Sequence, residues 1–166
     1  MSTRQPSSRS CFVCGRENPV GLKVRWDQHP EAGEIRGTVT VPEHFNGYPG
    51  VTHGGIVASL LDETGGRTIL MDGGSPPRVG EPSGGGFEDL MVTAKLEVVY
   101  RRPTPTGVPL LAVGRLTRRS ETRAEAEAEL RLPDGTVSAR ATVLLARPPD
   151  AIVERWAEER GNWRVD

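Results

Sequence analysis

The sequence predicts an α+β domain in which an antiparallel sheet of about six strands wraps one central helix. Three observations carry this reading. Apolar and polar residues alternate with a period of two in several separate segments. A single long apolar helix candidate, His53 to about Met71, precedes the C-terminus. Such a helix hides its apolar surface only if the sheet covers it.

Leu22, Val24 and Trp26 alternate with Lys23 and Arg25, and Ile35, Val39 and Val41 with Arg36, Thr38 and Thr40. They read as two strands joined by the turn-rich DQHPEAG. A third strand places Ala94, Leu96, Val98 and Tyr100 on one face, and Pro103 and Pro105 end it. A fourth runs from about Leu110 to Arg119. Pro133-Asp134-Gly135 marks a hairpin between the fifth and the sixth, the latter carrying Val137, Ala139, Ala141, Val143 and Leu145 on one side. The fifth, RAEAEAELR from Arg123 to Arg131, consists of helix formers in strict alternation. On a helix that pattern scatters charge around the whole circumference. On a strand it gathers Ala124, Ala126, Ala128 and Leu130 on one face, small enough to let a helix lie close. A strand is therefore predicted.

Ala151 to Arg160 reads as a short second helix, with Ile152, Val153 and Trp156 as its contact stripe. DGGSPPRVGEPSGGGFED, Asp72 to Asp89, is too rich in Gly, Pro and Ser for a regular element and reads as a loop, either a lid or a surface insertion. The expected organisation is a disordered tail over 1–10, one domain over 11–147, and a short helix and tail over 148–166.

The 166 residues, 36% hydrophobic and 26% charged, suffice for one core. A net charge of -1 gives no electrostatic reason to bind nucleic acid or an anionic membrane. No apolar run approaches the roughly 20 residues of a membrane span, and MSTRQPSSRS has no apolar signal region. A soluble, cytoplasmic protein is expected. Cys11 and Cys14 form a CxxC without a second pair, and His29, His44 and His53 show no ligand spacing to it. A structural role is favoured over a zinc pair completed by another subunit, and no metal or redox cofactor is expected.

The chemistry concentrates in FNGYPGVTHGGIVASLLDE, Phe45 to Glu63. Gly54 and Gly55 open the helix, where unpaired N–H donors stand at the positive end of the macrodipole and a substrate can approach the backbone. Asp62 and Glu63 follow two turns on, where an acid facing the core needs partners or a task.

FNGYPGVTHGGIVASLLDE resembles the signature of hotdog-fold acyl-CoA thioesterases of the phenylacetyl-CoA type. CFVCGRENPVGLKV, VTAKLEVVYRRP and AELRLPDGTVSARATVLL resemble further segments of that family, so the likeness runs from about Cys11 to Arg147. It implies a hotdog fold, an acyl-CoA substrate, and assembly as a homodimer or homotetramer. Asp62 then occupies the position of the catalytic carboxylate, as base or nucleophile, with Glu63 in reserve. Gly54 and Gly55 polarise the thioester carbonyl, and His53 orients the helix entrance. Asn46 stands where relatives bind water or the thioester oxygen, and Thr93 matches a residue that reaches the partner subunit's site. Coenzyme A phosphates call for arginine, and Arg101, Arg102, Arg118 and Arg119 lie at strand ends.

Two other readings compete. Hotdog dehydratases pair a histidine with a glutamate fourteen residues on; His44-Phe45-Asn46-Gly47 resembles their motif, but the required position is Ala58. A non-catalytic acyl-CoA sensor would need an output element, and no helix-turn-helix pattern is evident.

Overall fold

In the computed structural model, which describes residues 3–72 and 90–166, the alternating segments form one seven-stranded antiparallel sheet. Its strands are β1 Thr3–Arg4, β2 Arg25–His29, β3 Glu34–Thr40, β6 Val92–Tyr100, β7 Pro109–Arg119, β8 Arg123–Arg131 and β9 Val137–Ala146, ordered β1-β2-β3-β7-β8-β9-β6. A short ribbon, β4 Asn46–Tyr48 against β5 Val51–Thr52, leads into the central helix α1, Gly54–Arg67. The sheet wrapped around α1 is the hotdog fold. A second helix, α2, spans Asp150–Trp156. No helix among the described residues is long and apolar enough to cross a membrane.

In β8 the two-residue period overrides the helix propensity of its residues. Ala124, Ala126, Ala128 and Leu130 are all buried, and α1 packs across β7, β8 and β9. Val57, Leu60 and Leu61 of α1 join Val143, Leu145 and Trp26 in one apolar core. Close approach depends on two glycines: a Cβ at Gly65 would strike the Val143 side chain, and one at Gly114 would stand 2.9 Å from the Thr64 carbonyl oxygen.

Four expectations are corrected. Leu22, Val24 and Trp26 are buried as the alternation requires, but the strand begins only at Arg25. Lys23 is in the left-handed region, φ 58, and the Leu22 and Val24 N–H groups bond Phe12 and Val13 carbonyls in the CxxC turn. The tail expected to be disordered is built into the fold over residues 3–10: β1 pairs with β2, Gln5 and Ser7 are buried, and Ser7 bridges Arg164. Its backbone groups find partners there, which its polar composition conceals. The helix expected to reach Met71 ends as an α-helix at Arg67 and tightens into a 3-10 turn, Thr68–Asp72, with the Thr68 N–H on the Gly65 carbonyl. The likewise shortened α2 continues as a 3-10 turn, Ala157–Asn162. Residues 73–89, read as a lid or insertion, lie outside the described residues.

Candidate functional site

The ribbon places the start of α1 against β6. His53 caps the helix, and its Nδ1 accepts the Gly55 N–H at 3.0 Å. The imidazole thus caps the helix entrance and occupies the Gly55 donor. The Gly54 N–H has no acceptor among the described residues. The Gly54 carbonyl accepts the Tyr100 hydroxyl at 2.7 Å. Tyr100 was legible only as a strand-face residue; its hydroxyl reaches a backbone group 46 positions away.

A cavity of about 340 Å³ opens here, lined by Thr52, Gly54, Val57, Tyr100, Arg101 and Arg102. Both arginines are exposed, and both of their backbone N–H groups bond the Ser138 carbonyl. Asn46 lies on β4 opposite Thr52, and its buried Oδ1 has no hydrogen-bond partner among the described residues.

Arg118 and Arg119 do not share this cavity. They end β7 near the other end of α1, where Arg119 donates to the Ile69 carbonyl at 3.1 Å. Strand-end position could not tell one end of the sheet from the other.

Asp62 and Glu63 part as neighbours on a helix must, by about 100°. Asp62 faces β6 and its Oδ1 accepts the Thr93 hydroxyl at 2.7 Å. Thr93 therefore meets the carboxylate of its own chain. A register shift between Thr93 and Lys95 interrupts the β6–β9 ladder at this point. The same shift and the edge position of β6 weaken the expected burial alternation: Leu96 and Val98 are half-buried, whereas Ala94 and Tyr100 are exposed.

Glu63 turns to the other flank, where its Oε1 accepts Arg67 Nε at 3.0 Å and its Oε2 lies 3.9 Å from Cys11 Sγ. Burial pushes the Glu63 carboxyl up to about 7, against the opposing charge of Arg67. The Cys14 thiol is held below its ordinary value by its hydrogen bond with Cys11, with the Arg67 charge also lowering it, whereas Cys11 is raised. Arg67, itself 3% exposed, also donates to the Pro6 carbonyl at 2.8 Å and lies 4.5 Å over the Trp26 ring. Glu63 is thus committed to a cluster apart from Asp62, a grouping that residue spacing alone could not reveal.

Residues 49–139 match the model of a family described as the thioesterase superfamily, more than half of the chain. No curated protein matches the sequence. Among solved structures, a thioesterase superfamily protein is 30% identical with a TM-score of 0.67, over 83% of this chain and 63% of its own. The chain thus spans under two thirds of that protein's length. A phenylacetic acid degradation-related protein of Ralstonia eutropha is 21% identical (TM-score 0.60), covering 75% of this chain and 85% of its own. A Streptococcus mutans protein bound to acetyl-CoA is also 21% identical (TM-score 0.55), covering 70% and 85% respectively. The latter two share the fold.

Proposed function

Because the chain belongs to the thioesterase superfamily, we propose that it is an acyl-CoA thioesterase that releases a carboxylic acid and free coenzyme A. The observation that carries this reading is the Asp62–Thr93 pair, a half-buried carboxylate held at 2.7 Å by a hydroxyl, on the same helix that presents the Gly54 amide to an arginine-rimmed cavity. The acetyl-CoA bound to the Streptococcus mutans protein of like fold agrees with such a ligand.

Gly54 and Asp62 are eight residues apart, about 12 Å along an α-helix. One thioester carbonyl, which must sit about 3 Å from donor and attacking group alike, cannot touch both in a single chain. The working site is therefore composed from two copies, with the Gly54 end of one helix facing Asp62 of the other. The edge strand β6 leaves Val92, Val99 and Tyr100 exposed for that contact.

In that site the Gly54 N–H and the helix macrodipole stabilise the oxyanion that forms on the thioester oxygen. Asp62, oriented by Thr93, either takes a proton from a water as that water adds to the carbonyl carbon, or adds to it directly before water cleaves the acyl-enzyme. In both cases the C–S bond breaks and coenzyme A leaves as its thiolate. The Asn46 amide positions the water or the thioester oxygen, and Arg101 and Arg102 meet coenzyme A phosphates at the cavity rim. The residues named supply donor, base and hydroxyl, and the proposed reaction uses no cofactor beyond the coenzyme A of its substrate.

A panel of short, long and aromatic acyl-CoAs assayed with a thiol-detecting dye tests the reading. Thiol release from at least one class is expected; saturable binding across the panel without release would make the protein a sensor. Gly54→Ala refines it. A Cβ at Gly54 would sit 3.5 Å from the Tyr100 hydroxyl, ordinary contact, and Gly54 does not have positive φ. The variant should melt within a few degrees of the parent. The added methyl nonetheless stands where the carbonyl approaches, and kcat/KM should fall by about 10²-fold. Parent-like kinetics in the folded variant would remove Gly54 from the mechanism.

A further inference from the structure

A second cluster of ionisable side chains lies on the flank of α1 that carries Glu63, and no step above uses it. Cys11 and Cys14 belong to a tight turn in which the Gly15 N–H donates to the Cys11 carbonyl at 2.7 Å. A Cβ at Gly15 would strike that carbonyl oxygen, so the turn closes only with glycine after the second cysteine. The Val13 N–H donates to Cys11 Sγ at 3.3 Å, an amide contact that favours a sulfur carrying negative charge. The two sulfurs and a Glu63 oxygen all lie within 4.8 Å of one another.

We infer that Cys11, Cys14 and Glu63 form a binding site for one thiophilic divalent cation, zinc by its ligand chemistry. Tetrahedral zinc takes thiolates at about 2.3 Å and carboxylates at about 2.1 Å, which puts two sulfurs about 3.8 Å apart and a sulfur and an oxygen about 3.6 Å apart. The 3.9 Å between Cys11 Sγ and Glu63 Oε2 nearly meets the second requirement already. Magnesium and calcium take oxygen-only sets and do not suit two sulfurs.

The electrostatics close as well. Two thiolates and a carboxylate carry three negative charges; a dication and Arg67 carry three positive ones. No uncompensated charge is then left in a largely buried cluster. Arg67 is fixed by the Pro6 carbonyl and the Trp26 ring, and it holds Glu63 Oε1 so that Oε2 is the oxygen turned to Cys11. A positioning partner of this kind accompanies most metal-ligating side chains. Cys11 also lines a cavity of about 390 Å³ bordered by Met91 and Trp163, from which a water can take the fourth position. Residue spacing offered only a second CxxC or a histidine as further ligands and could not bring Glu63 into the set.

The test is a Co²⁺ titration of the reduced full-length protein, its thiols counted beforehand. One Co²⁺ per chain is expected, with a thiolate-to-metal charge-transfer band and the visible bands of a tetrahedral site, all displaced by Zn²⁺. Cys14→Ser should abolish the charge-transfer band. Glu63→Gln, nearly isosteric, should weaken Co²⁺ binding by at least about tenfold while keeping the parent circular dichroism. A reduced parent protein that gives no band in excess Co²⁺ overturns the site, and this holds whether or not either variant folds. So does a folded Glu63→Gln that binds Co²⁺ as tightly as the parent, since the cysteines alone would then account for the binding.

Discussion

Asp62→Asn is expected to lower acyl-CoA hydrolysis by about 10²- to 10⁴-fold, the range that a positioned base or nucleophile contributes. The asparagine carbonyl oxygen can still accept the Thr93 hydroxyl that Asp62 Oδ1 accepts at 2.7 Å, so the hydrogen bond survives and only the charge is lost. The melting temperature should therefore hold within a few degrees, which separates a catalytic effect from a folding one. Steady-state kinetics and thermal melting on one sample check this. A folded Asp62→Asn protein with near-normal kcat/KM, alongside an inactive Glu63→Gln, would transfer the role to the neighbouring acid despite its engagement with Arg67.

Hybrid dimers should show the next largest effect, and its pattern tells which residues share a site. Gly54 of one copy is proposed to work with Asp62 of the other, whereas Thr93 serves the Asp62 of its own chain. Asp62→Asn mixed with Gly54→Ala then yields hybrids with one intact site and one doubly damaged site. Random pairing of equal amounts makes half of the dimers hybrid, so activity should recover to about a quarter of the parent's for a two-fold symmetric dimer. Asp62→Asn mixed with Thr93→Val damages both sites of every hybrid, and no recovery is expected. Co-refolding the paired variants and assaying thiol release reads both outcomes. Recovery in the second mixture would return Thr93 to the partner's site, and none in the first would place Gly54 and Asp62 in separate functions.

Periodicity made most of the sheet legible, because burial on one face of a strand leaves a mark on every second residue. Ala124 to Leu130 shows this against the local preference of the chain. The first strand was misplaced because Leu22 and Val24 obey the same alternation while bonding to the CxxC turn, and burial alone does not say where the ladder partner is. The helix entrance was legible because capping and dipole effects act over a few residues: His53 and Gly54 are found as the local chemistry requires. What escaped depends on contacts between distant segments. The Thr93 bond to Asp62, the Tyr100 bond to Gly54 and the approach of Cys11 to Glu63 each join residues 31 to 52 positions apart. No spacing rule reaches that far.

A strand written in Ala and Glu has a consequence for how the chain folds. Residues 123–131 gain nothing from strand preference, and before the sheet exists they will visit helical turns more readily than extended ones. β8 is also held on both sides, by β7 and by β9, and roofed by α1. Its extended form is therefore stabilised only as those neighbours arrive, late in the formation of non-local order. A strand packed against the central helix is thus a conditional one. Its shape is imposed by its surroundings, and agents that loosen those surroundings will release it toward helix before they unravel it.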